Sequence, residues 1–456
     1  MWPLRANRLQ STDAMAYASR KKSDHFACGD DLVAGAIAQL RLFEPLDQIG
    51  GQSFISELRE FKSFGSSSRE SLLTDVPVFA NEYWTSKQRD AHSLHEVSYR
   101  ACFKPQLPRF FIERFTQSGD TVYDPFMGRG TTLIEASLCG RSVIGNDVNP
   151  LSRMLVEPRL EPPRLAQITQ RLSKISLVPS SESPDDFLAF YHPTTLAQLV
   201  ALRDYLLHRR SSGELDAVDR WIWMVAINRL TGHSSGFFSV YTLPPNQAVS
   251  VESQRRINER RNQTPPKRDI VELLIRKSRA LLADLRTTSP SGQKTALLNC
   301  SASATPDIPD GSVDLTVTSP PFLDIVNYAE DNWLRCWFAG IDPRAVQISI
   351  HRKLDQWTDF ICDCFAELSR ITKPGGHIAF EVGEVRKGRV RLEEAVLSAA
   401  APHPLRPLAV MINEQDFTKT AHCWGVDNNA GGTNSNRIVI FERLKETYRR
   451  RSFSLT

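Results

Sequence analysis

Eight cysteines in 456 residues, widely scattered, are too few to staple a fold together, which excludes a disulfide scaffold. Cys362 and Cys364 form a C-x-C with no second pair at zinc spacing, so no metal site is expected and these thiols read as buried side chains on a helix. No uninterrupted apolar run approaches the roughly 18 residues of a membrane span. The first residues, MWPLRANRLQSTDAMAY, lack the apolar core of a signal peptide. These two absences predict a cytoplasmic protein. An excess of one sign of charge is small too: a formal +4 and a pI near 8.6 permit nucleic acid as a partner without demanding it. The full G-x-G-x-x-G fingerprint is missing, because Thr132 and Leu133 follow Gly130, and G-x-x-x-x-G-K-[ST] occurs nowhere, which argues against a diphosphate-binding loop. The remaining composition, 41% hydrophobic and 24% charged, is that of an ordinary globular chain long enough for two or three domains.

Two short stretches organise what is present. Residues 121–150 read TVYDPFMGRGTTLIEASLCGRSVIGNDVNP. Thr121 to Tyr123 has the character of a buried strand end, Gly128 and Gly130 open a tight loop, and Thr131 to Leu138 is helical with Gly140 as its stop. The glycines let a ligand approach the backbone, and the helix start offers unpaired N–H groups. A second strand, Ser142 to Asn146, delivers Asp147 at about the 20-residue spacing from Asp124 that places an acid on ribose hydroxyls. A nucleoside without a diphosphate fits this stretch best. The other stretch is residues 313–322, VDLTVTSPPF, a nearly all-apolar or β-branched inner strand that ends in Ser319, Pro320, Pro321 and Phe322.

DPFMGRGTT followed by GNDVNP resembles motifs I and II of the amino-group DNA methyltransferases, and TSPPF resembles their motif IV in the serine form associated with cytosine-N4 methylation. The resemblance spans residues 90–150 and 295–443. It implies a Rossmann-like α/β fold with a mostly parallel seven-stranded sheet, a C-terminal hairpin and a largely helical insert. It further implies S-adenosyl-L-methionine as the methyl donor, held by Asp124, Pro125, Phe126, Gly128, Gly130, Thr131 and Asp147, with Ser319 to Phe322 receiving a base flipped from double-stranded DNA. The run HEVSYRACFKPQLPRFFIERF resembles motif X, which makes His95, Tyr99, Lys104 and Pro105 candidates at the methionine end of the donor, with Phe103 nearby. Carbon-5 methylation is disfavoured because its usual Pro-Cys dipeptide is absent.

The chemistry explains the motif. An exocyclic amine on cytosine is a poor nucleophile because its lone pair is delocalised into the ring. Fixed acceptors, the Ser319 hydroxyl and the Pro320 carbonyl, can localise that pair and aim it, and the prolines set them in place beforehand. Phe322 offers a face for the extruded base. Adenine-N6 methylation is the nearest rival, since related adenine enzymes more often carry Asp or Asn where Ser319 stands. An RNA methyltransferase and an inactive nucleic-acid-binding scaffold are weaker rivals, the latter opposed by the intact Asp124, Gly128, Gly130, Asp147 and Ser319 set.

The chain divides into an N-terminal extension (1–75, expected to be partly mobile), motif X with the first half of the catalytic domain (76–150), a helical insert (151–292), the second half (293–445) and a tail (446–456). A helix is expected over 31–43, and 63–71 (SFGSSSRES) reads as a flexible linker. In the insert, 194–207 and 215–230 are the clearest helices. Beyond them Arg255, Arg256, Arg260, Arg261, Lys267 and Arg268 form a basic run. Such runs are most often a solvated helical face, but in a DNA enzyme this one becomes a phosphate-binding surface and nominates the insert for target recognition. Strands are expected at 295–300 and 377–384, helices at 327–338 and 355–371 with KPGG (373–376) as a sharp stop, and a closing hairpin at 407–413 and 437–443. The long polar loop between them, 414–436, carries Trp424, Asn428, Asn429 and Asn434 and is expected to touch DNA or the flipped base. A restriction or defence partner is compatible with such an enzyme.

Overall fold

A strand whose residues are apolar on both faces has to lie inside a sheet, and VDLTVT does so in the computed structural model. β6 (Val313–Thr318) is flanked by strands on both sides. The structure describes residues 49–84, 91–99, 102–179, 181–242, 248–290, 294–321, 323, 328–346, 348, 351, 353–383, 390–414 and 435–445. The helix expected over 31–43, Phe322, Trp424, Asn428, Asn429, Asn434 and the tail lie outside them.

On one flank of β6, β3 (Thr121–Asp124), β4 (Ser142–Asn146) and β5 (Thr295–Leu298) follow in parallel. On the other flank β7 (Thr372–Val382) is parallel, and the hairpin of β8 (Leu405–Glu414) and β9 (Ser435–Arg443) closes the sheet with β9 antiparallel to both neighbours. This is the Rossmann-like, mostly parallel arrangement anticipated from the strand patterns. The sheet has nine strands, not seven, in the order β1-β2-β8-β9-β7-β6-β3-β4-β5. The two extra strands are a hairpin of β1 (Arg69–Leu73) and β2 (Val76–Asn81), with β2 parallel to β8. The supposed linker at 63–71 therefore runs into β1. As an edge strand β1 is almost wholly exposed, so it carries no apolar signature that distinguishes it from a linker.

Helices cover both faces. α1 (Ile49–Glu60), α2 (Gln106–Phe115) and α3 (Thr131–Leu138) pack on one face, where Phe54, Phe111 and Ile134 share a core with Val122. α11 (Leu354–Ile371) and α12 (Leu392–Ala400) pack on the other, where Phe365 and Val396 meet Tyr123 and Phe380. Adjacent residues of β3 thus point to opposite cores, as strand geometry requires. α11 ends at Ile371 as expected but passes straight into β7, so KPGG lies inside the strand and not in a turn before it. Val313 pairs with Thr372 but Leu315 pairs with His377, so these residues form a bulge within β7.

Between β4 and β5 the described residues form α4 (Pro150–Leu160), α5 (Leu165–Leu172), α6 (Pro193–Ser211), α7 (Ala217–Ile227), α8 (Val251–Arg261) and α9 (Ile270–Leu281). α7 carries the fully buried Trp221 and Trp223. Truncating either to alanine would cost about 3–5 kcal/mol. The insert is bonded to the sheet domain on two sides. Ser93 donates through its N–H to Asp284 at 2.8 Å and through its hydroxyl to the Leu281 carbonyl at 2.9 Å. Arg203 and Arg210 of α6 donate to the carbonyls of Trp337 and Ala339 in α10 (Tyr328–Ala339), the helix after the Ser-Pro-Pro motif, at 2.8 and 2.9 Å. Trp333 of α10 donates to the Val249 carbonyl at 3.3 Å, and the Ala248 N–H to the Asp331 carbonyl at 3.2 Å. Among the described residues no helix is long and apolar enough to cross a membrane.

Candidate active site

Strand order creates a crevice before any side chain is considered. From β3 the chain moves outward through β4 to β5, then crosses back to lay β6 on the far side of β3. Open α/β sheets bind ligands beyond the carboxyl ends of strands at such a reversal. The β3 end carries Asp124 and the β6 end carries Thr318 and Ser319. Thr318 Oγ1 donates to Asp124 Oδ1 at 2.7 Å, and Thr132 Oγ1, in the first turn of α3, donates to the Val317 carbonyl at 3.1 Å. The stretches at 121–150 and 313–321 therefore meet at one crevice.

Asp124 is buried, with Thr318, the Phe126 N–H and Thr132 bonded to it. Burial outweighs those bonds and pushes its carboxyl up to about 7. The folded chain therefore holds this proton where the unfolded chain, titrating near 3.8, has released it. Between those values the native state binds more protons, so this group's contribution to stability falls as pH rises toward 7 and levels off above it. Denaturant unfolding from pH 5 to 8 should show the wild type losing about 2–3 kcal/mol relative to Asp124→Asn. A constant difference between the two proteins would refute the assignment.

The loop after Asp124 is fixed by steric necessity. Gly130 has φ +75°, and a Cβ there would lie 2.4 Å from Val156 of α4. The Gly128 N–H donates to Asp147 Oδ2 and the Asn149 N–H to Asp147 Oδ1, both at 2.9 Å. Burial raises the Asp147 carboxyl, and the Asn149 and Gly128 N–H groups pull it back. Tyr99 is buried against this loop, 3.6 Å from where a Gly128 Cβ would stand, and its hydroxyl receives an N–H of Asn149 at 3.3 Å. Pro125 accepts from Asn146 through its carbonyl at 3.4 Å, Phe126 packs toward Phe360 at 6.0 Å between ring centres, and Thr131 Oγ1 accepts from Arg129 at 3.2 Å.

His95 has a different place. Its Nε2 is 2.6 Å from Glu135 Oε1 of α3, both side chains are buried, and Arg109 donates to the other Glu135 oxygen at 2.7 Å. Burial takes the imidazole down to about 4, so it is a neutral donor to the carboxylate. Burial alone would raise Glu135, but His95 and Arg109 hold it below the usual range. His95 is thus a strut between the motif X loop and α3. Pro105 caps α2, and Lys104 is exposed beside it, its amine lowered by partial burial. The Phe103 carbonyl accepts from Arg129 at 3.4 Å.

Two arginines that the sequence did not single out knit these loops together. Arg129 donates to the carbonyls of His95 at 3.3 Å and Val97 at 2.9 Å. Arg159, fully buried, donates to the carbonyls of Leu155, Leu94 and Arg129, and burial lowers its guanidinium to about 9. A cation inside helix α4 looks like any other surface charge in sequence, and only the fold brings the accepting carbonyls to it.

A cavity of about 640 Å³ opens past the ends of β4 and β5, between Val148 and Pro150 on one side, Asn299, Cys300 and Ser301 on another, and the segment after α10 that includes Ile341. Its size suits a nucleoside. Asn299 donates to the Asp147 carbonyl at 2.5 Å, which ties the β5 end to the β4 end. In sequence this wall is marked only by the polar residues that follow β5, Asn299, Cys300 and Ser301.

On the other side of the crevice, Pro320 is buried, Ser319 is half-buried and the Pro321 carbonyl receives Trp357 Nε1 at 2.9 Å. Thr318 pairs with Phe380 across β6 and β7, so the next residues, Ser319 and Glu381, stand side by side and are hydrogen-bonded. Asn436, at the start of β9, donates to Glu381 Oε1 at 3.0 Å. Burial pushes Glu381 up, and Ser319 and Asn436 pull it back.

The basic run is divided. Arg256, Arg260 and Lys267 are exposed, and Arg261 lies 3.8 Å from the Tyr241 ring centre. Arg255 is paired with Asp186 at 2.5 Å, and the Arg268 N–H is anchored on Thr195 of α6 at 2.9 Å. α8 buries only Gln254, so its remaining surface is polar.

Residues 21–152 match the family model N6_N4_Mtase, described as DNA methylase. The Type II methyltransferase M.BsoBI of Geobacillus stearothermophilus is 23% identical over 329 residues, 62% of this chain and 62% of that protein. Less than two thirds of that relative's length is therefore matched. The Type II methyltransferase M.MjaII of Methanocaldococcus jannaschii is 35% identical over 91 residues, 20% of this chain and 16% of that protein. The solved structure of a geranyl diphosphate methyltransferase in complex with SAM aligns over 75% of this chain and 85% of that one, at 10% identity and a TM-score of 0.30.

Proposed function

We infer, from a chain whose resemblance to the amino-group DNA methyltransferases now rests on matches as well as motifs, that it methylates the exocyclic N4 amine of cytosine in double-stranded DNA. The observation that carries this reading is the Thr318–Asp124 hydrogen bond, which joins the strand end before Ser319 to the strand end that opens the glycine loop.

S-adenosyl-L-methionine, when bound, supplies a methyl group on a sulfonium that an amine can take directly. The cavity past β4 and β5 has room for its nucleoside, and the half-buried carboxylate of Asp147, the residue before Val148 of the cavity wall, would take its ribose hydroxyls. Tyr99, against Gly128, would border its methionine end. Pro125, Phe126, Gly130 and Thr131 shape the loop, while Lys104 and Pro105 stand at its outer margin. Ser319 Oγ and the Pro320 carbonyl accept N–H bonds from the target amine and turn its lone pair toward the methyl. The extruded cytosine would reach this crevice from DNA whose phosphates rest on Arg256, Arg260, Arg261 and Lys267, with Arg255 and Arg268 behind them.

The test is direct. Purified full-length protein is incubated with mixed-sequence duplex DNA and methyl-labelled donor, and the digested nucleosides are identified by mass. N4-methylcytosine is the expected product. N6-methyladenine would transfer the same site to adenine chemistry, and an absence of label would overturn the reading.

A further inference from the structure

Arg229, just past α7, is half-buried, and its guanidinium lies over the Phe237 ring, 4.0 Å from the ring centre. Its hydrogen bond runs to the neighbouring Asn228 carbonyl at 2.8 Å, and among the described residues no carboxylate lies within ion-pair reach of it. Glu96, the acid whose charge acts on Arg229, is already held by Lys277 at 2.9 Å. A cation taken partly out of water without a counter-ion costs free energy unless an anion arrives to offset it.

The surroundings favour such an anion. Residues 231–240 form a loop whose base is closed by a bridge between Gly232 and Tyr241 and by the Thr242 N–H on the Gly232 carbonyl at 3.1 Å. No side chain fits at Gly232, because a Cβ there would lie 2.4 Å from the Phe237 ring. The loop apex, His233-Ser234-Ser235-Gly236, brings two exposed serines to the surface. Arg276 of α9 reaches the Ser235 carbonyl at 3.4 Å, and both Arg276 and Arg229 lie within 4 Å of where a Gly236 Cβ would be. Arg276 is about half exposed and has only a loose pair with Glu272, at 3.9 Å. Two guanidinium groups therefore flank one small, hydroxyl-rich apex. At the loop base the Tyr241 ring carries Arg261, and the Tyr241 carbonyl accepts from Gln254, so the apex continues the surface of α8.

We propose that the 233–236 apex, with Arg229 beneath it and Arg276 beside it, is a phosphate site that grips the DNA backbone at a point separate from α8. The assignment rests on the reading of DNA as the substrate. Guanidinium forks and serine hydroxyls match phosphate oxygens, and such contacts position the duplex without reading its sequence.

Full-length protein is titrated with a mixed-sequence duplex at several salt concentrations, and donor binding is measured in parallel by calorimetry. Arg276→Ala removes an exposed cation, and Ser235→Asp places a negative charge on the apex. Each should weaken DNA binding at low salt by about three- to tenfold and reduce the salt slope by about 1, with donor affinity unchanged. A steep wild-type slope that neither variant alters would overturn the phosphate site and leave the DNA reading intact. A wild type with no salt-dependent DNA binding would overturn the DNA reading itself. Loss of donor affinity in the variants, with an unaltered DNA slope, would assign the anion to the donor and also overturn the proposal.

Discussion

Ser319→Ala is expected to slow methyl transfer by about two to three orders of magnitude while DNA and donor affinities stay within about twofold of wild type. The asymmetry follows from what the hydroxyl does. Ser319 is half-buried, so its truncation opens no large cavity, and its side-chain partner is Glu381, whereas the glycine loop is held by Asp147. Its contribution lies in localising the amine lone pair as the new bond forms. Glu381 decides whether it can do so. A hydroxyl can donate or accept, and an ionised Glu381 takes the Ser319 proton, which leaves the oxygen lone pairs for the target N–H groups. Burial raises the Glu381 carboxyl, so acidification protonates it earlier than an exposed glutamate. It then becomes a donor and spoils that polarity. The single-turnover rate should fall as pH is lowered through the Glu381 titration, and in Glu381→Gln it should be low and flat. Wild-type turnover in Ser319→Ala, measured with labelled donor, would remove the hydroxyl from the chemistry.

Asp147→Ala should weaken donor binding by about a hundredfold or more, close to abolition in a calorimetric titration. One carboxylate accepts from both the Gly128 and Asn149 N–H groups. Alanine orphans one half-buried donor and one buried donor at once, each at about 1–3 kcal/mol, and also removes the acceptor proposed for the ribose. Asp147→Asn keeps one acceptor oxygen and should lose only about tenfold. Calorimetry that finds Asp147→Ala as tight as wild type would show that the nucleoside lies elsewhere.

These expectations depend on features of unequal visibility in the sequence. The strands at β3, β4 and β6, helix α3 and the β8–β9 hairpin were legible because each is written in local periodicity and turn residues. β1 was not, since an edge strand facing water has no pattern to display. KPGG was misjudged for a related reason: two glycines after a helix signal a turn equally well whether the chain stops or bulges within a strand. The crevice lining was legible only in part. Asp124, Asp147 and Ser319 lie inside recognisable runs, whereas Arg159, Glu381 and Trp357 acquire their partners from segments far away in the chain. Their chemistry is a product of folding. His95 marks the converse case: its motif pointed toward the donor, but a buried glutamate on α3 claims the ring.

The double attachment of the insert, to Ser93 on one side and to the Trp337–Ala339 end of α10 on the other, has a practical consequence for engineering. An insert tied down in this way cannot be exchanged as a cassette. A transplanted segment would have to reproduce the carbonyl and carboxylate partners of Ser93 and the guanidinium grips of Arg203 and Arg210, or α10 would lose its seat. Substitutions on the outward surface of α8, which buries only Gln254, leave these buried seams intact.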